Sequence, residues 1–102
     1  MRRTPYTAPK PRRKLALLIA AHNEELVIEQ TIRSAIRAGM NRKYIYVVDD
    51  NSSDSTSKIV RGLIGKENLL RVRRSGKGLA ITKAAKKFKL AEKYQWIHIA
   101  DA

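Results

Sequence analysis

The chain has 102 residues, with 22 Lys and Arg against 9 Asp and Glu and a formal net charge of +13. Its 43% hydrophobic content can build one small core, which excludes wholesale disorder, and the absence of cysteine excludes disulfides and thiolate metal sites. No apolar run approaches the roughly 20 residues that span a bilayer, so nothing in the sequence is expected to be a transmembrane helix.

The first fourteen positions carry six basic residues, no acidic one, and all three prolines (Pro5, Pro9, Pro11). That composition predicts a disordered basic arm over 1–14 rather than a packed element. Leu15-Ala16-Leu17-Leu18-Ile19-Ala20-Ala21 follows. Behind positive charge it has the look of a secretory leader, but the apolar run is short, stops at His22-Asn23-Glu24-Glu25, and has prolines upstream. It is predicted to be a buried strand. Asn23 then offers a helix N-cap, with Glu24 and Glu25 in the first turn where the helix dipole favours negative charge. Ile28, Ile32, Ala35, Ile36 and Met40 recur at helical spacing, and Gly39 and Asn41 mark the stop.

Tyr44–Val48 is a second strand, rich in residues that suit a pleated, buried surface, and it ends abruptly in Asp49 and Asp50. The cap-rich run Asn51-Ser52-Ser53-Asp54-Ser55-Thr56 opens a second helix near Ser53 or Asp54, which should bury Ile59, Val60, Leu63 and Ile64 and end around Gly65. Leu69–Val72 is a short third strand and Ser75–Gly78 a turn. Ala80, Ile81, Ala84, Ala85, Phe88 and Ala91 form the inner stripe of a third helix. Trp96–Ala100 is a fourth strand running into Asp101. Strands alternating with helices over short connections imply an α/β fold: Rossmann-like, with a mostly parallel four-stranded sheet and helices on both faces. No internal repeat or second domain is visible.

In open α/β sheets ligands bind outside the carboxyl ends of the strands. Here those ends deliver His22 and Asn23, Asp49 and Asp50, the Ser75–Gly78 turn, and Asp101. Three carboxylates, a glycine-flanked lysine and helix N-termini can hold a phosphorylated ligand together with a hard cation, and oxygen ligands suit Mg²⁺ or Mn²⁺ better than zinc. Nine Lys or Arg lie between Arg71 and Lys93 against the single Glu92. Such a surface attracts anions in general, although a solvated helix face accounts for most of these lysines.

The residues resemble the N-terminal, nucleotide-sugar-binding part of family 2 glycosyltransferases, which have the GT-A fold. The matches run in order through Leu17–Glu25, Val47–Thr56, Gly76–Ala80 and Ile97–Ala102, so the resemblance covers Leu15 to Ala102. It implies that the Ala20–Glu24 loop (Ala20, Ala21, His22 and Glu24) approaches the nucleoside. It further implies that Asp50 hydrogen-bonds the base, commonly uracil, that Asp49 braces the loop or approaches the ribose, and that Lys77 is the cation near base or diphosphate. Asp101 matches the first carboxylate of an Asp-x-Asp motif that faces the ribose and the metal-bound diphosphate. The expected donor is a UDP-sugar, with a saccharide or lipid-linked acceptor and a divalent Mg²⁺ or Mn²⁺ bound through Asp101. The reaction would be inverting displacement by an acceptor hydroxyl. No catalytic residue is expected within the chain, because the second Asp of the motif and the base would follow Ala102. The sequence is thus expected to be a piece of such an enzyme, inactive in glycosyl transfer by itself and with an uncovered sheet edge. By analogy with the family the location is cytoplasmic, with the basic arm and lysine-rich helix suited to the cytoplasmic face of a membrane.

Other readings of the same residues compete. Val47–Asn51 resembles the acidic strand of a phosphorelay receiver, but Leu15–Ala21 would then be a surplus strand. A nucleic-acid-binding module would explain the charge, yet there is no recognition-helix pattern or aromatic stacking platform, so no specific nucleic-acid partner is expected. A phosphate-binding P-loop is excluded, since Gly78 follows Lys77 where Ser or Thr belongs. Structural roles are expected for Asp54 and Asn23 as helix caps and for His98 as a packed core histidine.

Overall fold

A computed structural model describes residues 13–102. Four strands, β1 (Arg13–Ala21), β2 (Ile45–Asp50), β3 (Leu69–Val72) and β4 (Tyr94–Asp101), form one parallel sheet in the order β3-β2-β1-β4. Helices α1 (Ile28–Arg37) and α2 (Thr56–Ile64) cover one face, and α3 (Lys77–Lys87) with the short α4 (Leu90–Lys93) covers the other. This is the Rossmann-like α/β arrangement that strand–helix alternation predicts.

The two faces follow from the period-2 alternation of strand side chains. Leu17, Ile19 and Ala21 of β1 and Ile45 and Val47 of β2 meet Ile28 and Ile32 of α1 and Val60 of α2. Their neighbours Ala16, Leu18, Tyr46 and Val48 point the other way, onto Ala80, Ala84, Phe88 and Leu90. The central strands are therefore apolar almost throughout, as parallel strands covered on both sides must be. On the second face the Tyr46 and Tyr94 hydroxyls lie 2.7 Å apart, with Phe88 packed on Tyr46 at a ring-centroid distance of 4.8 Å.

The chain winds outward from β1 through β2 to β3, then crosses back under α3 and α4 to place β4 on the free side of β1. The order reverses between β1 and β4, and this reversal is the switch point where open α/β sheets leave a crevice.

Several boundaries differ from expectation. Arg13 and Lys14 belong to β1, with Arg13 paired opposite Tyr94, so the strand starts before the expected end of the arm; the rest of that arm lies outside the described residues. Helix α1 begins only at Ile28, because Glu24–Val27 is a turn in which the Glu24 carbonyl accepts from the Val27 and Ile28 N–H groups. Tyr44 sits in a 3₁₀ turn (Arg42–Tyr44) rather than in β2. The third helix breaks at Lys89, which has φ of 54°. The break turns Leu90 into the core and leaves Ala91 exposed, against the expected stripe. Lys77 and Gly78 are already helical, and Gly76 at φ 86° is the last turn residue before α3.

Strand β4 is an edge among the described residues, and Trp96 and Ile99 on it are 65% and 47% exposed. His98 is exposed as well among the described residues, so it is not the core histidine expected from its strand neighbours: it stands on the edge strand. No described helix is long and apolar enough to cross a membrane.

Candidate functional site

The carboxyl ends of β1, β2 and β4 and the start of α3 surround a cleft of about 220 Å³ at the switch point. Seven of the eight residues singled out from sequence line it: Ala20, Ala21, His22, Glu24, Asp50, Lys77 and Asp101. The parallel register brings them together, pairing Ala20 with Asp101 on one side of β1 and Ala21 with Asp49 on the other.

Asp49 is not brought into the cleft. Side chains alternate along β2, so the two neighbouring aspartates face opposite ways. Asp49 is fully buried: Oδ1 accepts from the Ser52 N–H at 2.9 Å and the Ser52 hydroxyl at 2.5 Å, and Oδ2 accepts from the Ser57 hydroxyl. Arg71 lies 3.8 Å from Oδ2 and donates to the Ser52 carbonyl at 2.5 Å. These partners make Asp49 a brace of the loop after β2, buried away from the cleft.

Asp50 is only 3% exposed and still lines the cleft. Its Oδ1 accepts from the Ser75 N–H at 2.7 Å, and its Oδ2 from the Gly76 N–H at 2.8 Å and from Arg74 at 2.5 Å. Burial by itself would raise the pKa of this carboxyl. The two backbone donors and the Arg74 guanidinium outweigh it and hold the group below the ordinary aspartate range. Glycine at 76 suits the positive φ that aims its N–H at the carboxylate.

Arg74, which also lines the cleft, carried no distinguishing signal in sequence. It is one of three arginines in Arg71-Val72-Arg73-Arg74, and only the end of β3 decides which of them reaches Asp50.

His22 must donate through Nδ1–H to the Asp50 carbonyl at 2.6 Å, since a carbonyl only accepts, and this ties the end of β1 to the end of β2. Asn23 caps no helix. It adopts φ of 52°, and its Oδ1 accepts from the Ser53 N–H at 2.8 Å, joining the β1 loop to the β2 loop. Asp54 lies one residue before Ser55, the N-cap of α2. Its Oδ1 accepts from the Thr56 N–H at 2.9 Å, so it supports the start of the helix from outside the cap position.

Lys77 and Asp101 pair across the cleft at 2.5 Å, their side chains 56% and 65% exposed. Among the described residues no three His, Cys, Asp or Glu side chains group to hold a metal ion. The donor set therefore does not make a self-contained metal centre. Mg²⁺ needs less from a protein, taking one or two carboxylates and filling its remaining positions with phosphate oxygens and water. Asp101 is a carboxylate of the cleft that could contribute to such a set, and in this structure it is paired with Lys77.

The family model described as Glycosyl transferase family 2 matches residues 16–102. The chain is also 41% identical over 61 residues to "Probable glycosyltransferase YdaM" of Bacillus subtilis (strain 168), a match covering 58% of this chain and 14% of that protein. The chain thus aligns with only a small part of that relative's length. No solved structure matches it.

Proposed function

The chain belongs to glycosyl transferase family 2, and on that premise we propose that its cleft binds the nucleoside diphosphate of a sugar donor, a UDP-sugar, for transfer to an acceptor hydroxyl. One observation carries the reading. Asp50 is a buried carboxylate at the cleft with three of its roughly four acceptor positions filled by protein donors, which leaves one for a ligand N–H. The imide N–H of uracil suits that position, and a carboxylate held ionised accepts from it strongly.

The other lining residues divide the remaining work. The backbone of Ala20 and Ala21 and the side chains of His22 and Glu24 border the nucleoside. Arg74 and Lys77 supply the positive charge that a diphosphate requires. Asp101 faces the ribose and diphosphate, and there it would hold a divalent Mg²⁺ or Mn²⁺. Such a metal, bound with the diphosphate, neutralises charge on the leaving group. The displacement inverts the anomeric carbon as the acceptor oxygen attacks and the nucleoside diphosphate departs. Nothing among the described residues is assigned as its base.

Titration with uridine diphosphate, with the fold followed by circular dichroism, tests the assignment. Asp50→Ala is expected to weaken binding by about tenfold or more, the worth of a charge-assisted hydrogen bond. Equal affinities in wild type and variant would overturn it.

A further inference from the structure

On the nucleotide reading of the cleft, we propose that the turn Ser52–Thr56 is a template for the loop after β1, with Ser52, Asp54 and Thr56 as positioning residues for the donor. Three successive backbone N–H groups of that loop are captured by side chains of the turn. The Asn23 N–H donates to Ser52 Oγ at 2.8 Å, the Glu24 N–H to Thr56 Oγ1 at 2.9 Å, and the Glu25 N–H to Asp54 Oδ2 at 3.2 Å. Two bonds run the other way. The Ser53 N–H donates to Asn23 Oδ1 at 2.8 Å, and the Ser55 N–H donates to Glu25 Oε1 at 2.9 Å.

The two accepting hydroxyls are oriented by two aspartates. A hydroxyl has one proton to give. Ser52 spends its proton on Asp49 Oδ1 and Thr56 spends its own on Asp54 Oδ1, both at 2.5 Å. Each hydroxyl oxygen can then only accept, and its lone pairs are left for the N–H groups of the neighbouring loop. Asp49 therefore acts on the loop through Ser52, and Asp54 acts both through Thr56 and directly at the Glu25 N–H. Asp50, between them in sequence, is the member of the segment that faces the cleft.

The consequence lies at the ligand. Helix α1 starts only at Ile28, so these three N–H groups have no helical partner and would otherwise be left to water. Held by the turn, they fix the backbone just after His22 and on both sides of Glu24, two residues that line the cleft. They also hold Asn23 in the left-handed region at φ 52°, a conformation Asn tolerates when neighbours fix it. A loop fixed in advance loses less freedom when a donor binds, so the template contributes to affinity without touching the ligand.

Hydrogen exchange of single amides in the full chain, read beside uridine diphosphate affinity, tests the template. Ser52→Ala should speed exchange at Asn23, and Thr56→Val at Glu24, each by about tenfold and each at its own amide. Thr56→Ser, which keeps the hydroxyl, should restore Glu24. Affinity should fall by a similar factor in the first two variants and return in the third. Should Thr56→Val fail to fold, Ser52→Ala carries the same comparison. Unchanged exchange at both amides would overturn the template. Faster exchange with undiminished affinity would overturn the positioning role alone. If the wild type binds no uridine diphosphate, the nucleotide reading falls and the positioning role with it.

Discussion

The two sides of the cleft are built on different terms. On the β1–β2 side, polar groups are paired twice over: Asp49, Ser52, Asp54, Thr56 and Ser57 bond one another and the adjoining loop, mostly out of solvent. No buried side-chain nitrogen or oxygen among the described residues lacks a partner. On the β4 side, Asp101 and Lys77 form an exposed ion pair, and Trp96 and Ile99 stand exposed further along the same edge strand. One side is finished by the protein's own buried groups, and the other ends in an ion pair open to solvent. On the proposed function, the fixed side would meet the nucleoside and the exposed side the phosphates.

The largest test of that contrast is to empty the centre of the fixed side. Asp49→Ala leaves two hydroxyls and a guanidinium facing a buried position without their acceptor. Breaking a buried, charged network from one partner is expected to cost on the order of 3 kcal/mol. A lowered denaturation midpoint at unchanged m-value would show it. A loss below about 1 kcal/mol would mean that the network is not the brace it looks to be.

Acid offers a gentler break. Asp50 and Asp54 both have pKa values below the ordinary aspartate value of 3.8. In each case burial pulls upward and is outweighed, by Ser75, Gly76 and Arg74 for Asp50 and by Thr56 and the Glu25 N–H for Asp54. The unfolded chain therefore binds protons first as pH falls. The stability these groups contribute is complete above about pH 3.8 and is lost below it, through their depressed folded values. Stability measured between neutral pH and pH 3 should fall most steeply at the acid end. Asp50→Asn, which removes one such group, should flatten that fall. An unaltered slope would show that its pairing with Arg74 carries no linkage.

Much of this contrast was legible in the residues, but not all of it. The strands were visible because apolar β-formers run unbroken into polar clusters, as in Tyr46-Val47-Val48-Asp49-Asp50, and the rim that carries the cleft followed from strand–helix alternation. Asp49 and Asp50 could not be told apart by composition; their alternation across the sheet separates a brace from a cleft residue. The β1 loop was read as a helix start because Asn23-Glu24-Glu25 has the chemistry of a cap and first turn. Tertiary bonds from Ser52, Asp54 and Thr56, some thirty positions away, capture those same N–H groups instead. Local chemistry identified groups that needed partners, and only the fold decided which partners they found. Arg74 escaped notice for the same reason, and His98 was misplaced because its cover depends on which strand forms the edge.

The smallest expected effect lies on the exposed side. Lys77 and Asp101 are only 2.5 Å apart, which by distance alone suggests a strong bond, yet both side chains are more than half exposed. Water screens the attraction, and holding a long lysine in one rotamer costs entropy, so exposed pairs of this kind contribute about 0.2–1 kcal/mol. A double-mutant cycle with Lys77→Met and Asp101→Asn should give a coupling within that range, shrinking further as salt is added. The same pair should matter more to a ligand than to the fold, because a weak bond is one that a diphosphate and its metal can displace. A coupling of several kcal/mol that persists at high salt would instead make Lys77–Asp101 a structural clamp. Asp101 would then be unavailable to a metal, and the two sides of the cleft would be equally fixed.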